Sequence, residues 1–193
     1  MNKVVQNWKV FGLEDSVRAS KYPMAVNVDD VAFGITDNVR KLAKAEKGSG
    51  HDQFLTGIIV QFDLTFSIKA WVEAERYHFL DFVSSQSTMH RVIRLDPLMQ
   101  CNEYVDAGTI SVVQRLIAQY NEHPTADNYL RALYNIPAGY RLTARMTTNY
   151  RQLKTIYSQR RKHRLPEWQV FCKWVEELPH SEFITGGNKN EGI

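Results

Sequence analysis

In the segment Ile58 to Ile68, polar and apolar residues alternate without a break from Val60 onward. Val60, Phe62, Leu64, Phe66 and Ile68 fall on one side, and Gln61, Asp63, Thr65 and Ser67 on the other. A period of two over this length predicts a β-strand with one buried face. A second alternating segment follows Pro137-Ala138-Gly139, with Tyr140, Leu142, Ala144 and Met146 opposed by Arg141, Thr143, Arg145, Thr147 and Asn149. A short strand is also expected over residues 4–11, and Glu14-Asp15-Ser16 reads as a helix start that Pro23 soon interrupts. Val31, Ile35, Val39 and Leu42 recur at helical spacing and predict an amphipathic helix over 28–47. Its Asp29 and Asp30 at one end and Arg40, Lys41, Lys44 and Lys47 toward the other suit the helix dipole. Gly48-Ser49-Gly50 ends it.

The segment 69–82 carries Trp71, Tyr77, Phe79 and Phe82 and predicts a helix buried on most sides, followed by a polar loop at Ser84-Ser85-Gln86-Ser87-Thr88. Further helices are expected over 107–121, 125–134, 150–160 and 166–178. The last opens with Pro166 at a favoured first-turn position and puts Trp168, Phe171, Cys172 and Val175 on one face. Amphipathic strands among amphipathic helices argue for an α+β fold, an antiparallel sheet flanked by helices that cover its apolar side. The polar side, with Asp63, Thr65, Ser67, Arg141, Arg145 and Asn149, is left to meet solvent, a partner subunit or a ligand.

Composition narrows this picture. The 193 residues, 44% of them hydrophobic, suffice for one sizeable core, so a single domain is expected over 1–185 with a flexible tail at 186–193. A net charge of +3 does not describe a polycation that coats duplex DNA, so any anion binding is local. Two cysteines, Cys101 and Cys172, make no disulfide framework and read as core or near-surface thiols. No targeting pattern or membrane span is seen, and a reducing cytoplasm is the expected location.

Charge is concentrated in one place. Asn149 to Arg164 holds six Lys/Arg and one His with no acidic residue, directly after the second alternating strand. Guanidinium groups converging at a strand-to-helix junction grip phosphate through paired hydrogen bonds, and a solvated basic helix is the alternative reading. Glu75 and His78 have the spacing found in carboxylate-bridged metal bundles. There is no second copy, so a glutamate paired with Arg76 or His78 is expected and no metal.

In this order the elements resemble the flavin-dependent thymidylate synthase family, over most of the chain from about Val10 to the last helix. Val17-Arg18-Ala19-Ser20 is similar to an early family segment, Val-Arg-Ala-Ala/Ser, and Gly50-His51 stands where the family opens a flavin-contacting loop. Val83 to Arg91 resembles the loop Ser-x-Asn-Glu-x-Ser-x-Arg-Tyr. Asn149-Tyr150-Arg151-Gln152-Leu153 resembles Asn-x-Arg-Ser-Leu at the start of the flavin- and nucleotide-binding helix. The departures are specific. Arg-His-Arg is replaced by Arg76-Tyr77-His78, Asn-Glu reads Ser85-Gln86, and the flavin loop Thr/Ser-Pro-Phe-Glu-His becomes Gln53-Phe54-Leu55-Thr56-Gly57.

The resemblance implies a divergent protein acting on a pyrimidine nucleotide in a dUMP-type methylation. FAD would carry the hydride, with reduced folate and NADPH needed for the full reaction. It also implies that Ser87 or Thr88 and Arg91 donate to the nucleotide phosphate and that Arg160 or Arg161 contacts the nucleotide. His51, Asn149 and Arg151 would lie against the flavin. Family members are homotetramers with sites shared between subunits, so an oligomer is implied. The altered motifs keep a second reading open, a flavin-free nucleotide- or nucleic-acid-binding protein on the same scaffold.

Overall fold

A computed structural model describes residues 4–46 and 48–187, so Lys47 and residues 188–193 of the expected tail lie outside the described residues. Four strands form one antiparallel sheet in the order β1-β2-β4-β3: β1 Val5–Phe11, β2 Ile59–Ser67, β3 Asp81–Ser85 and β4 Arg141–Asn149. Between β1 and β2 lie α1 Leu13–Ala19 and α2 Asp37–Lys44. The helix α3 Ile68–Ala74 joins β2 to β3. Four helices separate β3 from β4: α4 Thr88–Arg91, α5 Pro97–Gln100, α6 Ala107–Glu122 and α7 Ala126–Tyr134. After β4 come α8 Tyr150–Arg160, α9 Pro166–Glu176 and α10 Glu182–Thr185. The fold is α+β, as expected. No helix among the described residues is long and apolar enough to cross a membrane.

The alternating segments pair with each other as the two central strands, Ile59 opposite Asn149 and Ser67 opposite Arg141. Val60, Phe62, Leu64 and Phe66 of β2 and Ala144 and Met146 of β4 are buried. Leu153, Ile156 and Tyr157 of α8 and Trp168, Phe171, Trp174 and Val175 of α9 share that core. Its centre is aromatic: Phe62 sits 4.7 Å from Trp174 and Phe66 4.8 Å from Trp168, between ring centroids. Each buried aromatic or aliphatic side chain of this size contributes about 1.5–3 kcal/mol. Cys172 lies in the same core, where burial pushes its thiol up to about 12, as an inert hydrophobe.

On the other side of the sheet Gln61, Asp63, Thr65, Thr143, Arg145 and Thr147 stay partly exposed. Asp63 faces Arg145 across the strands at 3.2 Å, and Thr65 hydrogen-bonds Thr143 at 2.8 Å. Arg141 instead donates to the carbonyls of Met99, Gln100 and Cys101, tying the α5 region to the start of β4. Ser67, expected on the polar face, is buried and accepts from the Ala70 amide as the N-cap of α3.

Two expectations are corrected. The helix over 28–47 is only α2, 37–44, because Asn27 caps an isolated 3₁₀ turn at Val28–Asp30 and Gly34 takes φ +109°, outside any helix. Thr36 then accepts from the Val39 amide and starts α2. The helix over 69–82 is only α3. Phe79 takes φ +63°, and Asp81–Ser85 becomes the edge strand β3 paired to β4, where the end of that helix and the start of a polar loop were expected. Gly12, at φ +71° between β1 and α1, approaches Gly57 so closely that a Cβ there would lie 2.6 Å from its carbonyl oxygen.

Candidate functional site

The helix α8 organises the basic residues, and it does so by splitting them. At its first turn Asn149 accepts from the Gln152 amide at 2.9 Å and so caps the helix. Two residues on, Arg151 donates Nε to Asp52 Oδ1 at 3.0 Å and Nη1 to Gln53 at 2.8 Å. Lys154, one turn later, reaches Asp52 Oδ2 at 3.0 Å and the carbonyls of Ala43 and Ala45. Asp52 is only 1% exposed, so one buried carboxylate takes both cations. His51, beside it, is exposed and its ring has no partner among the described residues. His51, Asn149 and Arg151 thus fall at one end of α8.

At the other end Arg160 is the most enclosed cation. Its side chain is 11% exposed and its Cζ lies 5.1 Å from the Trp168 ring centre and 5.4 Å from that of Tyr77. Nε donates to the Tyr77 hydroxyl at 2.6 Å, Nη2 to Glu73 at 3.3 Å, and the Tyr77 hydroxyl in turn donates to Gln159 Oε1 at 2.9 Å. Lys69 and Arg76 also approach Glu73, each at 3.5 Å. Burial works to raise the Glu73 carboxyl, but Arg76, Arg160 and Lys69 outweigh it and hold it below the usual carboxylate range. The glutamate that pairs with Arg76 is therefore Glu73, and Glu75 is exposed. Arg161, Lys162 and Arg164 are exposed and make no ion pair among the described residues.

Between these ends, α8 and the segment just after α3 border a polar cleft of 340 Å³. Arg76, Tyr77 and His78 line one wall, and Gln152, Thr155 and Gln159, spaced to share one face of α8, line the other. His163 follows just after α8. Its Nδ1 accepts from the Leu165 amide at 3.2 Å, while burial and the Arg160 charge push the ring's pKa below its ordinary value. The unfolded chain then takes up a proton near pH 6.5 while the folded ring stays neutral. His163 accordingly contributes stability that is full above that pH and is lost as the pH falls below it. In urea titrations the stability gap between the wild type and His163→Asn, which keeps an acceptor, is expected to be flat above pH 7 and to shrink below about 6.5. A gap that does not change with pH would remove the depressed imidazole from the picture.

Ser87, Thr88 and Arg91 stand elsewhere. The Ser87 carbonyl accepts from the His90 and Arg91 amides, opening the single turn α4, and the Tyr129 hydroxyl of α7 donates to the Thr88 and Met89 carbonyls at 3.2 and 2.7 Å. The Arg91 guanidinium is exposed and unpaired among the described residues. Gln86, just before this loop, bonds the Thr143 carbonyl, six residues along β4 from Asn149. At a strand's rise per residue the Arg91 loop therefore begins about 20 Å along β4 from Asn149.

The carboxylates that divide the cations, Asp52 and Glu73, were not among the candidates the sequence offered. Glu73 was legible: Lys69, Glu73 and Arg76 follow helical i, i+4 and i, i+3 spacing. Nothing in the sequence marks Asp52 as the carboxylate that meets residues about a hundred positions away.

No family model and no curated protein matches the sequence. The fold, by contrast, matches solved structures along nearly its whole length. Thymidylate synthase X from Helicobacter pylori, crystallised with FAD and dUMP, superposes with a TM-score of 0.71 at 18% identity, over 97% of this chain and 98% of that one. A second structure, the flavin-dependent thymidylate synthase of Helicobacter pylori complexed with FAD and dUMP, gives 0.71 at 17% identity over 96% and 99%. The chain has the fold of those flavin-dependent thymidylate synthases.

Proposed function

We propose that this protein binds a pyrimidine nucleotide of the dUMP type and, with FAD, modifies its base. The observation that carries this reading is the polar, arginine-bordered cleft between α8 and the segment after α3, on a fold shared with proteins crystallised with FAD and dUMP. The donors at the first turn of α8 fit an anionic dinucleotide. Arg151 leaves about a third of its side chain exposed after meeting Asp52, and the His51 ring is open to solvent. His51, Asn149 and Arg151 would hold FAD, which when bound supplies a hydride. A full methylation would also draw on reduced folate and NADPH.

The nucleotide falls to other residues. Arg160 is committed to Tyr77 and Glu73, so Arg161 is the neighbouring guanidinium left to contact it, with Arg76 at the cleft wall. Ser87 or Thr88 and Arg91 would donate to its phosphate. Because that loop stands about 20 Å along β4 from Asn149, a second copy of the chain would be needed to complete the site, which supports a homo-oligomer, a tetramer by resemblance.

A specific observation also favours the flavin-free reading. Asp52 pairs with Arg151 and Glu73 with Arg160 within the chain, so the two best-placed cations already have anionic partners, each shared with other cations. Visible absorption after FAD loading, followed by calorimetry with dUMP, separates the two. Retained flavin absorption with dUMP binding is expected for the enzyme. Binding of dUMP by a colourless protein would leave only the binding role. In either case Arg161→Ala is expected to weaken dUMP by about 1.5–3 kcal/mol, the scale of a charge-assisted hydrogen bond. A protein that takes up neither FAD nor dUMP would sink both readings, and a steep loss of oligonucleotide binding with salt would mark a polyanion ligand instead.

A further inference from the structure

The cleft beside α8 contains one amide whose orientation is set by the groups behind it. Arg160, stacked on Trp168 and paired with Glu73, has only donors to offer, and its Nε meets the Tyr77 hydroxyl at 2.6 Å. Having accepted there, the hydroxyl gives its single proton to Gln159 Oε1 at 2.9 Å. A flipped Gln159 amide would turn its NH2 to the hydroxyl and leave that proton with no acceptor among the described residues, which is costly. The relay therefore keeps Oε1 on Tyr77. Gln159 is exposed and lines the cleft, and its Nε2, with no acceptor among the described residues, is left as a donor for whatever occupies it. No carboxylate lines this cleft among the described residues, so acceptor groups of a ligand meet no competing acceptor charge there.

Uracil and cytosine carry opposite hydrogen-bonding groups at C4, a carbonyl oxygen in the first and an amino group in the second. C4 lies across the ring from N1, the atom that bears the sugar, so it leads into the cleft when the phosphate stays with the exposed cations. We propose that Gln159 selects uracil over cytosine by donating from Nε2 to O4, and that Tyr77 and Arg160 are positioning residues that hold its amide in that sense. The proposal rests on the nucleotide reading above and names the residue that reads the base.

Calorimetry on the full chain with dUMP and with dCMP reads the ratio of their dissociation constants, from which any shared effect on phosphate or sugar cancels. The wild type is expected to favour dUMP by about tenfold or more, the scale of a hydrogen bond replaced by two opposed donors. Gln159→Leu should remove the preference. Gln159→Glu offers an acceptor in place of the donor and should reverse it. Tyr77→Phe keeps the ring but frees the amide to turn, and should narrow the preference with Gln159 untouched, an effect that a purely structural tyrosine would not have. An unchanged unfolding midpoint shows each variant to be folded. If the wild type binds dUMP no tighter than dCMP, or a folded Gln159→Leu or Gln159→Glu keeps the wild-type preference, the assignment to Gln159 is overturned while the nucleotide reading stands. A preference that Tyr77→Phe leaves unchanged overturns the relay, and a protein that takes up neither nucleotide overturns both the assignment and the reading beneath it.

Discussion

Asp52→Ala is expected to destabilise the protein by about 3–5 kcal/mol, because it strips the carboxylate from two part-buried cations at once. The Asp52 side chain is 2% exposed, and Arg151 and Lys154 are 32% and 23% exposed where they meet it. Lys154 would keep only the Ala43 and Ala45 carbonyls, and Arg151 only the Gln53 amide oxygen. The loss therefore exceeds that of a surface ion pair, which is worth about 0–1 kcal/mol. Urea denaturation measures it. The triple variant Asp52→Leu with Arg151→Met and Lys154→Met should recover much of the stability, since removing a buried charge cluster together is far less costly than orphaning its members. A single-variant loss below about 1 kcal/mol would mean that solvent screens this cluster like an exposed bridge.

Trp168→Ala is the other large effect, expected at about 3–5 kcal/mol. Trp168 is fully buried, touches Phe66 and Phe171 edge-on with centroids 4.8 and 5.5 Å away, and carries Arg160 on its face. Alanine there leaves a cavity beneath the guanidinium as well as removing apolar surface. The indole nitrogen is buried without an acceptor among the described residues, so Trp168→Phe sacrifices no hydrogen bond and is expected to lose only about 1–2 kcal/mol for its smaller volume. Equal losses for Ala and Phe would show that the ring's packing is not what matters at this position. A Trp168→Ala variant that unfolds at the wild-type midpoint would contradict the core as described.

The two central strands were readable because alternation over nine or more residues has one structural meaning, and the register that pairs them puts every buried β2 side chain beside a buried or half-buried β4 neighbour. The helices 107–121, 125–134, 150–160 and 166–178 were placed to within a few residues for the same reason. The edge strand β3 was not readable. Its five residues, Asp-Phe-Val-Ser-Ser, are all exposed, so no buried face imposed a pattern, and Phe82 at helical spacing from Phe79 imitated a continuing helix. At the site, the run of cations after β4 was plain in the sequence, but its division was not. Which arginine turns inward depends on Asp52 and Glu73, carboxylates supplied by the chain before β3, and only the three-dimensional path sets that choice.

The β2–β4 pairing also fixes when the molecule can form. β2 finds β1 behind it in the chain, but its other partner lies beyond β3 and four helices, and the aromatic residues of α9 that cover Phe62 and Phe66 come later still. On the ribosome Trp71 of α3 can reach Phe66 early, but the apolar side of β2 is not fully covered until α9 emerges. Pairing this remote in sequence closes long loops before any contact repays them, so slow folding and dependence on early protection from aggregation are built into the topology itself.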